Sequence, residues 1–113
     1  MLDSLKHVDA TGVYFVGREV QECIGYTWQQ FNELVQEHIK NCEQFQDESG
    51  VIETRAMRKI GMGSLRPVVD YKLSPFAFLS VLMLMRSNKH EIKILRREAA
   101  KELSSRFMLP LAA

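Results

Sequence analysis

Apolar positions along this chain change their spacing several times, and each change predicts a new element. Val13-Tyr14-Phe15-Val16 is a β-branched and aromatic run after Thr11-Gly12, which predicts an opening strand. Over residues 18–24, Val20, Cys23 and Ile24 fall at i, i+3 and i+4, one stripe of a short helix. Gly25 is placed to end it in a left-handed cap. Thr27 then starts a second helix, in which Trp28, Phe31, Leu34, Val35, Ile39 and Cys42 keep the 3.6-residue period to about Asn41. Helix, glycine turn and helix make the outline of a helix-turn-helix unit.

The polar break Gln46-Asp47-Glu48-Ser49-Gly50 ends this part. After it residues 51–57 alternate imperfectly and favour a strand, Gly61-Met62-Gly63-Ser64 must be a loop, and residues 67–73, with Val68, Val69 and Tyr71, read as a second strand. Residues 51–73 thus predict a hairpin with a basic tip formed by Arg58, Lys59 and Arg66, the shape of a wing. Ser74-Pro75 sets an N-cap residue before a proline at the first helical position. Residues 76–85, apolar nearly all round, then predict a buried central helix. Ser87-Asn88 can cap a final helix with Ile92, Leu95, Ala99 and Leu103 on one face, and Pro110 ends it. The expected fold is one α+β domain over residues 1–113, winged helix-turn-helix-like, with a small β-hairpin and about four helices.

Length and composition agree. A chain of 113 residues fits one core of the usual size, and 46% hydrophobic with 26% charged residues is far from the signature of disorder. The longest apolar stretch, residues 75–85, is shorter than the roughly 20 residues that cross a bilayer, and residues 1–10 carry no apolar signal run. A cytoplasmic protein without membrane contact is expected. Cys23 and Cys42 form no disulfide framework and are expected to be free thiols.

Charge is distributed unevenly. Residues 1–50 hold three basic against nine acidic residues, net −6, while residues 51–113 hold twelve against five, net +7. Such asymmetry points to a polyanion partner for the basic half, or to an acidic face used against another protein.

Several blocks resemble the Bro-N domain of phage antirepressors and the related DNA-damage-inducible protein D family. Residues 17–26, Gly-Arg-Glu-Val-Gln-Glu-Cys-Ile-Gly-Tyr, look like that family's helix closing on a Leu-Gly-Tyr-type turn. Trp28, Phe31 and residues 41–50 resemble its aromatic helix and acidic loop, and residues 59–64 with 70–74 are similar to the damage-inducible branch. Residues 82–102, including Arg86-Ser87-Asn88-Lys89, look like the family's closing basic helix. The resemblance covers most of residues 13–106. It implies an α+β domain of phage or prophage regulation that binds DNA or a regulatory protein, without catalysis.

Three sets of residues are candidates for the binding work. Gln29, Gln30 and Asn32, with Glu33 and Gln36, lie opposite Trp28 and Phe31, and Gln and Asn can pair bidentately with adenine in the major groove. Glu33 and Glu37 argue against a duplex contact there, and a solvated polar face is the plain alternative. The wing is the stronger candidate: Arg58, Lys59 and Arg66 flank a glycine loop whose backbone can approach phosphates, Ser64 lies in that loop, and Arg55 and Lys72 could extend the patch. The loop lacks the Gly-Lys-Thr ending of a nucleotide-binding P-loop. A secondary basic stripe of Lys89, Lys93, Arg96, Arg97 and Lys101 could meet a phosphate backbone or an acidic partner, or simply be solvated.

His38 and Cys42, with Cys23, supply three of the four ligands that structural zinc wants, but both cysteines sit on apolar stripes and core packing is the expected reading. No residues suggest a nucleophile pair or acid–base carboxylates, so no enzyme and no cofactor are expected. The functional expectation is a transcriptional regulator or antirepressor of phage type that binds double-stranded DNA, as a homodimer through Phe107, Met108, Leu109 and Leu111. Its rival is a protein-binding inhibitor of a repressor, recombinase or host-defence complex, acting through the acidic N-terminal half.

Overall fold

A computed structural model describes residues 1–107. Among them the chain forms α1 (Leu2–Leu5), β1 (Lys6–Asp9), β2 (Gly12–Val16), α2 (Gly17–Ile24), α3 (Trp28–Phe45), β3 (Val51–Ile60), β4 (Ser64–Leu73), α4 (Pro75–Leu84) and α5 (His90–Phe107). This is an α+β architecture, but with five helices and two hairpins in place of about four helices and one hairpin. The antiparallel sheet has the order β1-β2-β4-β3. The unforeseen elements lie in residues 1–10, where Leu2 and Leu5 are buried but no apolar run announces them. Their strand forms because β2 offers it a partner, with Lys6 opposite Phe15 and Asp9 opposite Gly12. Lys72 then pairs with the Asp9 carboxylate, which it and Thr11 hold below the usual carboxylate range.

Local chemistry explains most boundaries. Gly25 ends α2 in the left-handed region at φ 71°. Thr27 and Gln30 close a reciprocal capping box at the start of α3, Thr27 Oγ1 accepting from Gln30 N–H and Gln30 Oε1 accepting from Thr27 N–H. That helix runs past Asn41 to Phe45, because Cys42, one turn beyond the buried His38, is itself buried. Gln46 closes it at φ 59°, with Asp47 N–H reaching back to Cys42 O at 2.9 Å. Ser74 Oγ accepts from Ala77 N–H at 3.1 Å, with Pro75 in the first turn of α4. Ser87 bonds the N–H of Lys89 in the turn before α5, and not a helix amide.

One core joins every layer. Phe15 stacks on Phe78 with ring centroids 4.0 Å apart, and Val20, Ile24, Phe31, Val35, Leu73, Val81, Leu82, Ile92 and Leu95 pack around them. The α4 helix is not buried all round: Ala77, Phe78, Val81 and Leu82 face the core, while Phe76 and Met83 are exposed. Only the side of α4 that packs against α3, α5 and the sheet is covered.

Both long strands exceed their expected bounds, 51–60 against 51–57 and 64–73 against 67–73. The ladder runs unbroken from Val51 opposite Leu73 to Ile60 opposite Ser64. Strand β2 meets β4 only at Leu73 and Lys72. At the height of Pro67 the other flank of β4 therefore has no strand, where a missing N–H is tolerated. The far half of the hairpin leaves the body as an arm, and the molecule measures 64 × 32 × 32 Å.

Candidate nucleic-acid interface

The arm owes its geometry to the two-residue period of a strand. Arg58 and Arg66 are cross-strand partners on one face, whereas Arg55 and Lys59 project from the other. Between Thr54 and Val69 there are four cations and no carboxylate. Ser64, Arg66, Lys59 and Arg55 are exposed. Arg58 is partly tied down by Glu22 of α2 at 2.6 Å, and Arg55 by Glu53 at 3.3 Å. Lys72 does not extend the patch, since it sits at the base of the arm between Asp9 and the Tyr14 ring.

Sequence reasoning missed what lies between the cations. Met57, Ile60, Met62 and Leu65 are all exposed, and Met62, at 105% relative exposure, touches essentially nothing. The signal was present: a methionine between two glycines in a hairpin loop has no core within reach. Gly61 and Gly63 carry φ of 66° and 98°, which fits the tight turn they make.

The base of the arm is clamped to α2 and α3. Val16, at the start of α2, makes no side-chain cap; instead the buried Asp70 of β4 accepts from Arg18 N–H at 2.9 Å and from Tyr71 N–H at 2.7 Å. A carboxylate at a helix N-terminus satisfies an orphan donor and opposes the positive end of the helix dipole. Arg18 lies over the Trp28 ring at 4.0 Å and donates from Nε to Val69 O at 2.8 Å. Burial, with the Arg58 charge next in weight, pulls its guanidinium below its ordinary value. Trp28 in turn stacks on Tyr71. Direction of the arm is thus set by four side chains that packing holds in place.

The polar face of α3 is less free than its composition suggests. Gln29 is exposed, but Gln30 is occupied in the capping box, and Asn32, one turn after Trp28 and so on the same side of the helix and not opposite it, accepts from Tyr71 Oη at 2.5 Å and from Gln36 at 3.4 Å. Along α5 the stripe divides similarly. Lys89 donates to Ile24 O and Gly25 O at the C-terminus of α2, and Arg96 donates to the carbonyls of Leu82, Met85 and Ser87 at the end of α4. Lys93, Arg97 and Lys101 remain exposed. No protein-family model, curated protein or solved structure matches this chain.

Both cysteines are free thiols; Cys42 is buried with its Sγ 3.6 Å from His38 Nε2, and burial pushes its thiol up. His38 bonds the Ser49 carbonyl at 2.8 Å, which pins the loop before β3. Among the described residues no group of three or more His, Cys, Asp or Glu side chains is placed to hold a metal, and no helix is long and apolar enough to cross a membrane. Of the residues behind the dimer expectation, Met108, Leu109 and Leu111 lie outside those described.

Proposed function

We propose that this chain is a non-enzymatic DNA-binding regulatory domain of the Bro-N type that its sequence resembles. It works in winged helix-turn-helix fashion: α2 and α3 form the helical unit, the β3–β4 arm serves as the wing, and duplex DNA is the ligand. One observation carries the reading: an arm that leaves the body bears four cations and no carboxylate between Thr54 and Val69, and two of the four, Lys59 and Arg66, are exposed and outside the ion pairs that Glu22 and Glu53 make with Arg58 and Arg55. Phosphates are the natural counterpart of such an arm, and neutralising them releases counterions. The exposed Gln29 can approach base edges when the arm is seated, while Lys93, Arg97 and Lys101 provide further charge. A homodimer on a two-fold DNA site is part of this proposal.

Fluorescence anisotropy of a labelled duplex across salt tests it, with wild type beside the Lys59→Ala, Arg66→Ala double variant. Wild type is expected to bind with a negative log–log salt slope that the variant makes shallower by roughly 2, about 0.9 for each phosphate no longer neutralised. Absence of binding at low salt overturns the reading.

A second reading, a protein-binding inhibitor, is favoured by a different surface. Phe45, Phe76 and Met83 are exposed around a shallow pocket that Asn41 and Asp47 also line, with Glu43 and Glu48 close by in the chain. An apolar patch with an acidic rim suits a basic protein surface. Wild type that binds no duplex but pulls down a basic partner, an interaction that Phe45→Ser abolishes, favours this reading.

A further inference from the structure

We propose that Met62 is a wedge that enters a base step of duplex DNA from the minor groove, so that the arm kinks the DNA it binds; this rests on the DNA-binding reading above. The loop Gly61-Met62-Gly63 is the outermost part of the arm. Its methionine is fully exposed, and Ile60 and Leu65 directly behind it are exposed at 45% and 58%. Apolar side chains gathered at the end of an arm, where the body can never cover them, call for burial in a ligand. The nearest charges identify that ligand. Arg58 and Arg66 stand behind Ile60 on one face, and Lys59 stands beside Leu65 on the other, so an apolar point is bracketed by cations on both sides.

That arrangement matches a groove with a phosphate wall on each side and stacked bases at its floor. Methionine is unbranched and narrow, and wedges of this kind part a base step in minor-groove binders that bend DNA. The positive φ of the turn accounts for Gly61 and Gly63, and with no heavy atom within 4 Å of where a Cβ would stand they also leave the turn narrow. Their small size lets the turn descend between the groove walls. From Val69, where packing against the core ends, to Ser64 the strand advances roughly 17 Å at about 3.4 Å per residue, and the turn carries Met62 beyond it, enough to pass a phosphate wall and reach the floor of a groove.

The test uses two duplexes of one sequence, one fully paired and one with a single central mismatch, each end-labelled for energy transfer, together with anisotropy for binding. In the mismatched duplex part of the unstacking has already occurred, so wild type is expected to bind it roughly tenfold more tightly and to shorten the end-to-end distance of both. Met62→Ala is expected to keep the salt slope, lose the mismatch preference and leave the DNA straight, and Met62→Leu to restore bending. Equal affinity for both duplexes, with no bending and no effect of Met62→Ala, overturns the wedge while the DNA-binding reading stands. Failure to bind either duplex overturns both. Binding of phosphatidylserine vesicles that Met62→Ala abolishes, without DNA bending, also overturns the wedge, in favour of a lipid surface.

Discussion

Asp70 shows how far one side chain's role can lie from its neighbours in sequence. It serves as the missing N-cap of α2, 52 residues away from the amide it accepts from. Gly17 is what lets it approach, since a Cβ there would stand 3.1 Å from Asp70 Oδ1 and 3.4 Å from the Phe31 ring. Removing the carboxylate strands two amide donors at a buried site. Asp70→Ala is therefore expected to cost about 1–3 kcal/mol in urea unfolding, and Asp70→Asn clearly less, because asparagine also caps. Equal stability of all three proteins would show that water replaces the carboxylate. Gln30 and Asn32 teach the same lesson: residue types that suit base readout are here occupied in a cap and in a bond to Tyr71.

Within the elements, the basic stripe of α5 separates into two functions that its even spacing hides. Lys89 and Arg96 each put a cation on the carbonyl end of another helix, where the dipole is negative and the last acceptors lack partners. Lys89→Met and Arg96→Met are each expected to lower stability by about 1 kcal/mol, with duplex affinity little changed. The triple variant Lys93→Ala, Arg97→Ala, Lys101→Ala should instead stay within about 0.5 kcal/mol of wild type and make the salt slope of DNA binding shallower. Denaturation curves beside anisotropy separate the two sets, and a reversed pattern refutes the division.

At the scale of the whole molecule, the arm and the body have different supports. The body holds the packed core, whereas beyond Val68 the arm rests on its own ladder and on the exposed pair of Arg58 with Glu22. Exposed ion pairs contribute only about 0–1 kcal/mol. Replacing residues 57–67 with Asn-Gly, which joins the Ala56–Val68 pair by a tight turn, is expected to leave a folded protein within about 1 kcal/mol of wild type. For a domain of this size that is at most about 4–8 °C in Tm. Duplex binding should vanish. A shortened protein that still binds with the wild-type salt slope would move the interface to α3 and α5.

Periodicity and turn chemistry in the sequence were enough to find β2, both helices around Gly25, the basic hairpin, the Ser74-Pro75 start of α4 and the apolar stripe of α5 as far as Ala99, the expected Leu103 being exposed. Those features depend on residues within about four positions of one another, which is as far as such patterns reach. Only the tertiary structure decided the rest. Strand β1 exists because β2 offers it an edge, α4 keeps Phe76 and Met83 exposed because only its other side packs against α3, α5 and the sheet, and the strands of the arm run on because each pairs with the other. Which cations are free is likewise a tertiary matter. Charge can be counted along a chain, but whether Lys89 meets a carbonyl or Lys59 meets water depends on what folding brings beside them.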